Sequence, residues 1–268
     1  MIPIYSISKP FLAQAIIELG FPLSTPIGKF LPSLSEVYRI RTLAQLLNHT
    51  SGLSSYGELP AYQKSVDAQL PAWERDKLLA DCESLPHSNH GFTYSNLGYL
   101  LLRMLLEQEL QLSYFNAIKE LVLDPLGIDC FLEWETSTSV VPNYDPKWVY
   151  SGTFLGEREH IASAVGRLAK HRSNSSSLSS GLIPVDIEDS GFDSPGYNFG
   201  FMTDGGSASD SPKLVGHGGS GPGYELMVLV ETRNWNSAIE VATDGLTQSE
   251  AILRLRQKLQ LTDATSNF

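Results

Sequence analysis

Cysteine is nearly absent from this chain: Cys82 and Cys130 are the only two in 268 residues. Their spacing offers neither a disulfide framework nor the paired ligands of a zinc site. Basic residues are scarce too, 19 Lys and Arg against 30 Asp and Glu, which leaves a formal net charge of -11. That balance, with no basic stripe, does not suit a phosphate backbone, so nucleic acid is not expected as a partner. No apolar run is long enough to cross a bilayer, and no membrane span is expected. No basic region and cleavage-site pattern precede Ser6, so the chain as written reads as cytoplasmic, and a longer N-terminus would make it periplasmic or secreted. No internal repeat and no cofactor motif is visible.

What is present is an ordinary globular composition, 42% hydrophobic and 18% charged, in a chain long enough to bury a sizeable core. Apolar patterning predicts a helix from near Ser6 to Gly20, with Pro10 tolerated in its first turn. Phe21 to Leu34 reads as an irregular loop, and Thr42 caps a short helix over Leu43 to Asn48. Further helices are predicted over Glu74–Glu83, Leu100–Glu109, Tyr114–Leu123 and Glu157–His171, with loops over Thr136–Pro146 and Ser173–Ser180. The last quarter changes character. Tyr197–Thr203, Tyr224–Glu231 and Ser237–Thr243 read as strands, and Gln248–Leu261 as a closing amphipathic helix.

Four stretches carry candidate chemistry. Ser6-Ile7-Ser8-Lys9 sits at a helix start, where residues three apart are neighbours, so a hydroxyl and an amine face each other. A lysine in apolar surroundings has a lowered pKa and can take the proton of a serine nucleophile. A Ser-x-x-Lys spacing occurs by chance roughly once in a chain of this length, so it needs corroboration. In Leu46-Leu47-Asn48-His49-Thr50-Ser51-Gly52-Leu53, His49 is either a catalytic base or, with Thr50 and Ser51, a residue that bonds backbone groups in a tight turn.

In Tyr94-Ser95-Asn96, the first and third side chains project to one side if the segment is extended. The plainer reading makes Tyr94 a core aromatic and Asn96 an N-cap. Gly216-His217-Gly218-Gly219-Ser220-Gly221 is either a flexible hairpin loop or a place where a ligand or another backbone comes close. Cys82, His87 and His90 fall near one another, but a complete metal site needs three or four ligands with outer support, so no metal is expected.

In combination, Ser6-x-x-Lys9, Tyr94-x-Asn96 and His217-Gly218-Gly219 stand in an order that resembles the serine beta-lactamase and penicillin-binding protein superfamily, in particular its class C and esterase-like branch. The Leu46–Leu53 segment, Tyr94-Ser95-Asn96-Leu97-Gly98-Tyr99 and Pro125-Leu126-Gly127 also look like segments of that family in family order. The resemblance implies an α+β fold: an antiparallel sheet with flanking helices plus a mainly helical lobe, in one domain over 1–268. The helical lobe would cover 21–170, and the C-terminal strands and closing helix 195–268. It also implies that Ser6 is the acylated nucleophile, Lys9 its proton acceptor, and Tyr94, kept acidic by nearby positive charge, a general base. Asn96, His217, Gly218, Gly219 and Ser220 would bind substrate, with the backbone N–H groups of Ser6 and Ser220 as the oxyanion hole.

His217 stands where many relatives carry lysine. Histidine titrates near pH 6.5 and is often neutral, so recognition of a substrate carboxylate is expected to give way to neutral esters, amides or D-amino-acid peptides. Relatives also carry a segment ahead of the nucleophile motif that builds the first strands of the sheet. Without it the expectation is a reduced sheet with uncovered apolar surface, which a homo-oligomer would cover. The function implied is a serine hydrolase of beta-lactamase, D-amino-acid peptidase or esterase type acting on a small-molecule or peptide substrate. The alternative is a non-catalytic penicillin-binding-like protein that binds peptide or cell-wall ligands.

Overall fold

A computed structural model describes residues 1–268 except 89–90, 135–139, 176–177, 179, 188, 206–209, 244 and 266–268. Strand β1 (Ile2–Pro3) leads through a 3-10 turn at Tyr5–Ser8 into helix α1 (Lys9–Glu18). Every residue from Lys9 to Ile16 is buried, so this helix is surrounded rather than amphipathic. It packs against α6 (Asn96–Leu110), α7 (Tyr114–Ile118) and α8 (Arg158–Ser175).

Between α1 and α6 run α2 (Glu36–Arg39), α3 (Leu43–Leu47), α4 (Pro60–Asp67) and α5 (Arg75–Cys82). Thr42 and Gln45 close α3 with a reciprocal capping box. Strands β2 (Phe131–Glu133) and β3 (Phe154–Gly156) join β1 in a small antiparallel sheet of order β1-β3-β2.

The main sheet has six antiparallel strands in chain order: β4 (Ile183–Pro184), β5 (Pro195–Asn198), β6 (Phe201–Asp204), β7 (Leu214–Gly221), β8 (Tyr224–Glu231) and β9 (Ser237–Ala242). Helix α8 packs against β8 and β9, as does the closing helix α9 (Gln248–Thr265). Leu214, Met227 and Leu229 form a core with Ala251, Ile252, Leu255 and Leu259 of α9. Val215, Leu226, Val228 and Val230 belong instead to the core shared with the helices. The β8–β9 side of the sheet is therefore covered on both faces, and the expected uncovered apolar face is not found among the described residues.

Three local expectations are corrected. Tyr197–Thr203 is not one strand but two, because Phe199 and Gly200, both at positive φ, turn the chain between β5 and β6. The glycine-rich stretch at 216–221 is not a loop beside a strand; it is strand β7, extended because β8 pairs with it throughout. Helix α8 runs on to Ser175, into the stretch expected as a serine-rich loop. Part of the Thr136–Pro146 loop, and His90, lie outside the described residues.

Candidate active site

The sequence before Ser6 forces an unusual entry. Tyr5 has φ 46, a left-handed conformation that costs a residue with a Cβ on the order of 1–3 kcal/mol. Its ring holds it there, buried edge-on against Trp134 at 5.9 Å between centroids, while its hydroxyl donates to the Pro222 carbonyl at 2.6 Å. Burial, together with Tyr224 and Glu225, raises the pKa of this phenol. The chain then turns into the first helical turn, whose N–H groups have no partner within the helix.

Lys9 is completely buried. Its Nζ lies 2.8 Å from Ser6 Oγ and 2.7 Å from Asn96 Oδ1, and 5.2 and 5.3 Å from the ring centroids of Tyr94 and Tyr99. Desolvation lowers its pKa to about 7. Ser6 itself is only half-buried, so its hydroxyl is reached from outside while the amine behind it is not.

Asn96 is free to make that contact because Ser95, not Asn96, caps α6: the Ser95 hydroxyl accepts from the Gly98 N–H at 3.1 Å. Tyr94 lines the same cleft, half-buried, with its ring 4.3 Å from that of His49. The expectation of an acidic phenol is overturned. A hydrogen bond with Ser6 lowers the Tyr94 pKa, but burial outweighs it and the net shift is upward, so the hydroxyl keeps its proton at neutral pH. The perturbed base in the cluster is Lys9.

Strand β7 supplies the opposite wall. A Cβ on Gly219 would overlap the Ile4 carbonyl oxygen, and one on Gly221 would overlap the Tyr5 ring. The glycines let the strand lie directly against the Ile4–Ser8 segment. The last β6–β7 pair is Met202–Gly216, so residues 217–221 run on past β6. The hairpin to β8 closes through the two residues Pro222 and Gly223. In such a hairpin residues 217, 219 and 221 exchange backbone bonds with β8, which turns the N–H and C=O of Gly218 and Ser220 to the open side.

His217 is 2% exposed, and both ring nitrogens are engaged within the protein: Nδ1 with the Gly218 carbonyl at 2.6 Å, Nε2 with the Tyr197 hydroxyl at 3.2 Å. Burial and then the charge of Lys9 lower its pKa to about 3. A histidine that titrates near pH 6.5 is thus not found, and the ring is neutral throughout the physiological range.

His49 continues the chain of bonds. It sits at φ 56 and is fully buried; its Nδ1 accepts from the Ser95 N–H at 3.0 Å, and its Nε2 faces the Tyr197 hydroxyl at 3.1 Å. Its pKa too is held low, first by burial and then by Lys9 and His217. Of the two sequence readings, the turn residue is the one observed. The network assigns the tautomers: His49 carries its proton on Nε2 and donates to Tyr197, Tyr197 donates to His217 Nε2, and His217 donates from Nδ1 to Gly218.

Ser6, Tyr94, Asn96, His217, Gly218, Gly219 and Ser220 all line one cavity of about 630 Å³, with Lys9 directly behind Ser6. Sequence reasoning missed Tyr197 and Glu225, which line it as well. Strand period two was the available signal for Glu225, since it pairs with Ser220 across the hairpin. Tyr197 had no local signal. Among the described residues no group of three or more His, Cys, Asp or Glu is arranged to hold a metal ion, and no helix is long and apolar enough to cross a membrane.

Architecture and site together define an α+β protein in which a half-buried serine, backed by a buried lysine, faces a glycine-rich strand across a cleft. The family model described as Beta-lactamase matches residues 1–153, more than half of the chain. The chain belongs to the beta-lactamase family. Penicillin-binding protein 4* of Bacillus subtilis (strain 168) is 26% identical over 262 residues, covering 84% of this chain and 56% of that protein. The chain thus spans about half the length of that curated relative.

Among solved structures, a D-stereospecific amidohydrolase from Streptomyces sp. superposes with a TM-score of 0.73 at 22% identity, over 90% of this chain and 81% of the other. The octameric penicillin-binding protein homologue from Pyrococcus abyssi gives a TM-score of 0.68 at 21% identity, over 97% and 66%. These likenesses establish the fold.

Proposed function

We propose that the protein is a serine hydrolase that works through an acyl-enzyme on Ser6. The observation that carries this reading is Lys9, buried, shifted to about 7, and 2.8 Å from Ser6 Oγ. A neutral amine at that place accepts the Ser6 proton as Oγ bonds to the substrate carbonyl carbon. The N–H groups of Ser6 and Ser220 stabilise the oxyanion; removal of one such donor typically costs about 10² to 10³ in rate. As the tetrahedral intermediate collapses, the bond to the leaving group breaks and that group takes the proton from Lys9, directly or through the protonated Tyr94 hydroxyl. Water then attacks the ester with Lys9 again accepting the proton, and collapse of the second tetrahedral intermediate breaks the bond to Ser6 Oγ, which takes the proton back from Lys9 as the carboxylic acid leaves.

Asn96 orients Lys9 from the far side. His217, with both nitrogens occupied, fixes the Gly218 carbonyl on the substrate-facing edge of β7 rather than pairing with a substrate carboxylate. Neutral ester and amide substrates suit this wall, and the family and the amidohydrolase neighbour support a hydrolase of this type. The same reading takes 1–268 as one catalytic domain with the cleft between the 21–170 lobe and the 195–268 strands and helix.

The test is covalent labelling. Incubation with a fluorophosphonate and with a penicillin, followed by intact mass, should show a stoichiometric adduct on wild type and none on Ser6→Ala. A folded wild-type protein that forms no adduct would sink the hydrolase reading in favour of a non-catalytic protein that binds peptide or cell-wall ligands.

A further inference from the structure

The cavity beside Ser6 has a marked charge asymmetry. Among the described residues that line it there is no lysine or arginine, whereas Glu225 and Asp189 both do. Lys9 does not itself line the cavity: it sits behind Ser6, bonded to Ser6 and Asn96, and with its pKa lowered to about 7 it is largely neutral above that pH. Of the two acids, Glu225 is the one tied to the catalytic wall. It pairs directly with Ser220 across the β7–β8 hairpin, and its Oε1 accepts from Ser220 Oγ at 2.6 Å.

That bond places a carboxylate beside the Ser220 backbone, the proposed oxyanion donor. The same cavity is lined by the apolar Phe192, Met202, Leu246 and Ile252 and by the uncharged Ser190, Thr247, Gln248 and Ser249. Like charges confined to one cleft disfavour each other, and desolvation by apolar walls strengthens the effect. A substrate whose carbonyl sits between Ser6 and Ser220 therefore lies close to the Glu225 carboxylate and, among the described lining residues, finds no lysine or arginine to meet a negative group.

We infer that Glu225 is a specificity-determining residue that excludes carboxylate-bearing acyl donors and admits uncharged or cationic esters and amides with an apolar or ammonium-tipped acyl chain. This rests on acyl transfer at Ser6 and adds the charge class of the substrate to it. Discrimination here works by repulsion as much as by attraction. Ser220 Oγ contributes by holding the carboxylate toward the cleft edge.

The experiment uses three nitrophenyl esters of matched length: butyrate, hemisuccinate and 4-aminobutyrate. Wild type should hydrolyse the hemisuccinate at least about tenfold less efficiently in kcat/KM than the butyrate, with the 4-aminobutyrate at or above the butyrate. Glu225→Gln should raise the hemisuccinate-to-butyrate ratio about tenfold and lower the 4-aminobutyrate-to-butyrate ratio. Glu225→Lys should reverse the order of the two charged esters. Ratios are read rather than absolute rates, and circular dichroism confirms folding. An unchanged ratio in both variants overturns the inference.

A binding arm with the corresponding anilides and the Ser6→Ala protein, followed by calorimetry, reads the same charge preference without turnover. If no ester acylates wild type but the anilides still rank by charge through Glu225, the hydrolase reading fails and the specificity assignment stands. If esters turn over without any charge ranking, the reverse holds.

Discussion

The Tyr197 hydroxyl lies 3.2 Å from Nε2 of His217 and 3.1 Å from Nε2 of His49, joining two buried imidazoles through one proton-carrying oxygen. Tyr197→Phe removes the one group that, among the described residues, hydrogen-bonds to both rings. Leaving buried nitrogens unpaired costs about 1–3 kcal/mol, so a loss of that size is expected in denaturant unfolding. The ¹⁵N shifts of His217 should report the Nδ1–H tautomer in wild type and a mixture in Tyr197→Phe. The same tautomer in both proteins would exclude this positioning role.

Lys9 predicts the pH dependence. Its pKa of about 7 means that the amine is protonated, and no base, below that pH, and free above it. The kcat/KM profile for a neutral ester should rise with pH through an apparent pKa near 7 and level off above it. His217, at about 3, contributes no limb between pH 5 and 8. An activity falling over that range as pH rises would contradict Lys9 as the base.

The same shift has a stability consequence. Lys9 is lowered in the folded state from the unfolded value of 10.5 to about 7, so between those values the unfolded chain binds more protons and wild-type stability rises with pH. Lys9→Met does not titrate. The stability of wild type relative to Lys9→Met should therefore increase by up to about 4 kcal/mol between pH 6 and pH 10, while the variant loses labelling. Parallel unfolding curves at both pH values would show that Lys9 is not desolvated.

Gly219 is a steric requirement. Gly219→Ala would push against the Ile4 carbonyl, a backbone group two residues ahead of Ser6 that cannot swing away as a side chain would. A loss of about 1–3 kcal/mol and at least tenfold slower labelling are expected. Gly57→Ala, whose nearest neighbour would be Ser55 Oγ at 3.8 Å, serves as the tolerated control.

Strand β9 ends the six-stranded sheet, and its residues are half-buried. No strand pairs with its outer side among the described residues, and such an edge favours association. Concentration-dependent self-association is the expected outcome in light scattering; a single monomeric mass from low to high micromolar concentration would count against it.

Much of this protein was legible one segment at a time. Ser6-x-x-Lys9 needs only the helical neighbour rule to bring hydroxyl and amine together, and the strand Tyr224–Glu231 was bounded correctly by its own pattern. Period and spacing are local properties, so the amino-acid order alone indicated most of the longer helices, the strands Tyr224–Glu231 and Ser237–Ala242, and the neighbouring Ser6 and Lys9 side chains. The strand at 216–221 escaped because glycine carries no strand signal; it is extended only because β8 pairs with it and the Tyr5–Ser8 turn lies on it.

Electrostatics were decided by tertiary structure for a related reason. The pKa of a group depends on what surrounds it, and no spacing rule states that Lys9 is wholly enclosed, that Tyr94 is desolvated beyond the help of its Ser6 bond, or that His217 spends both nitrogens inward. The sequence supplied the proton-carrying groups. Packing of distant elements around them, α6 from one side and β5 and β7 from the other, set how far each pKa is shifted.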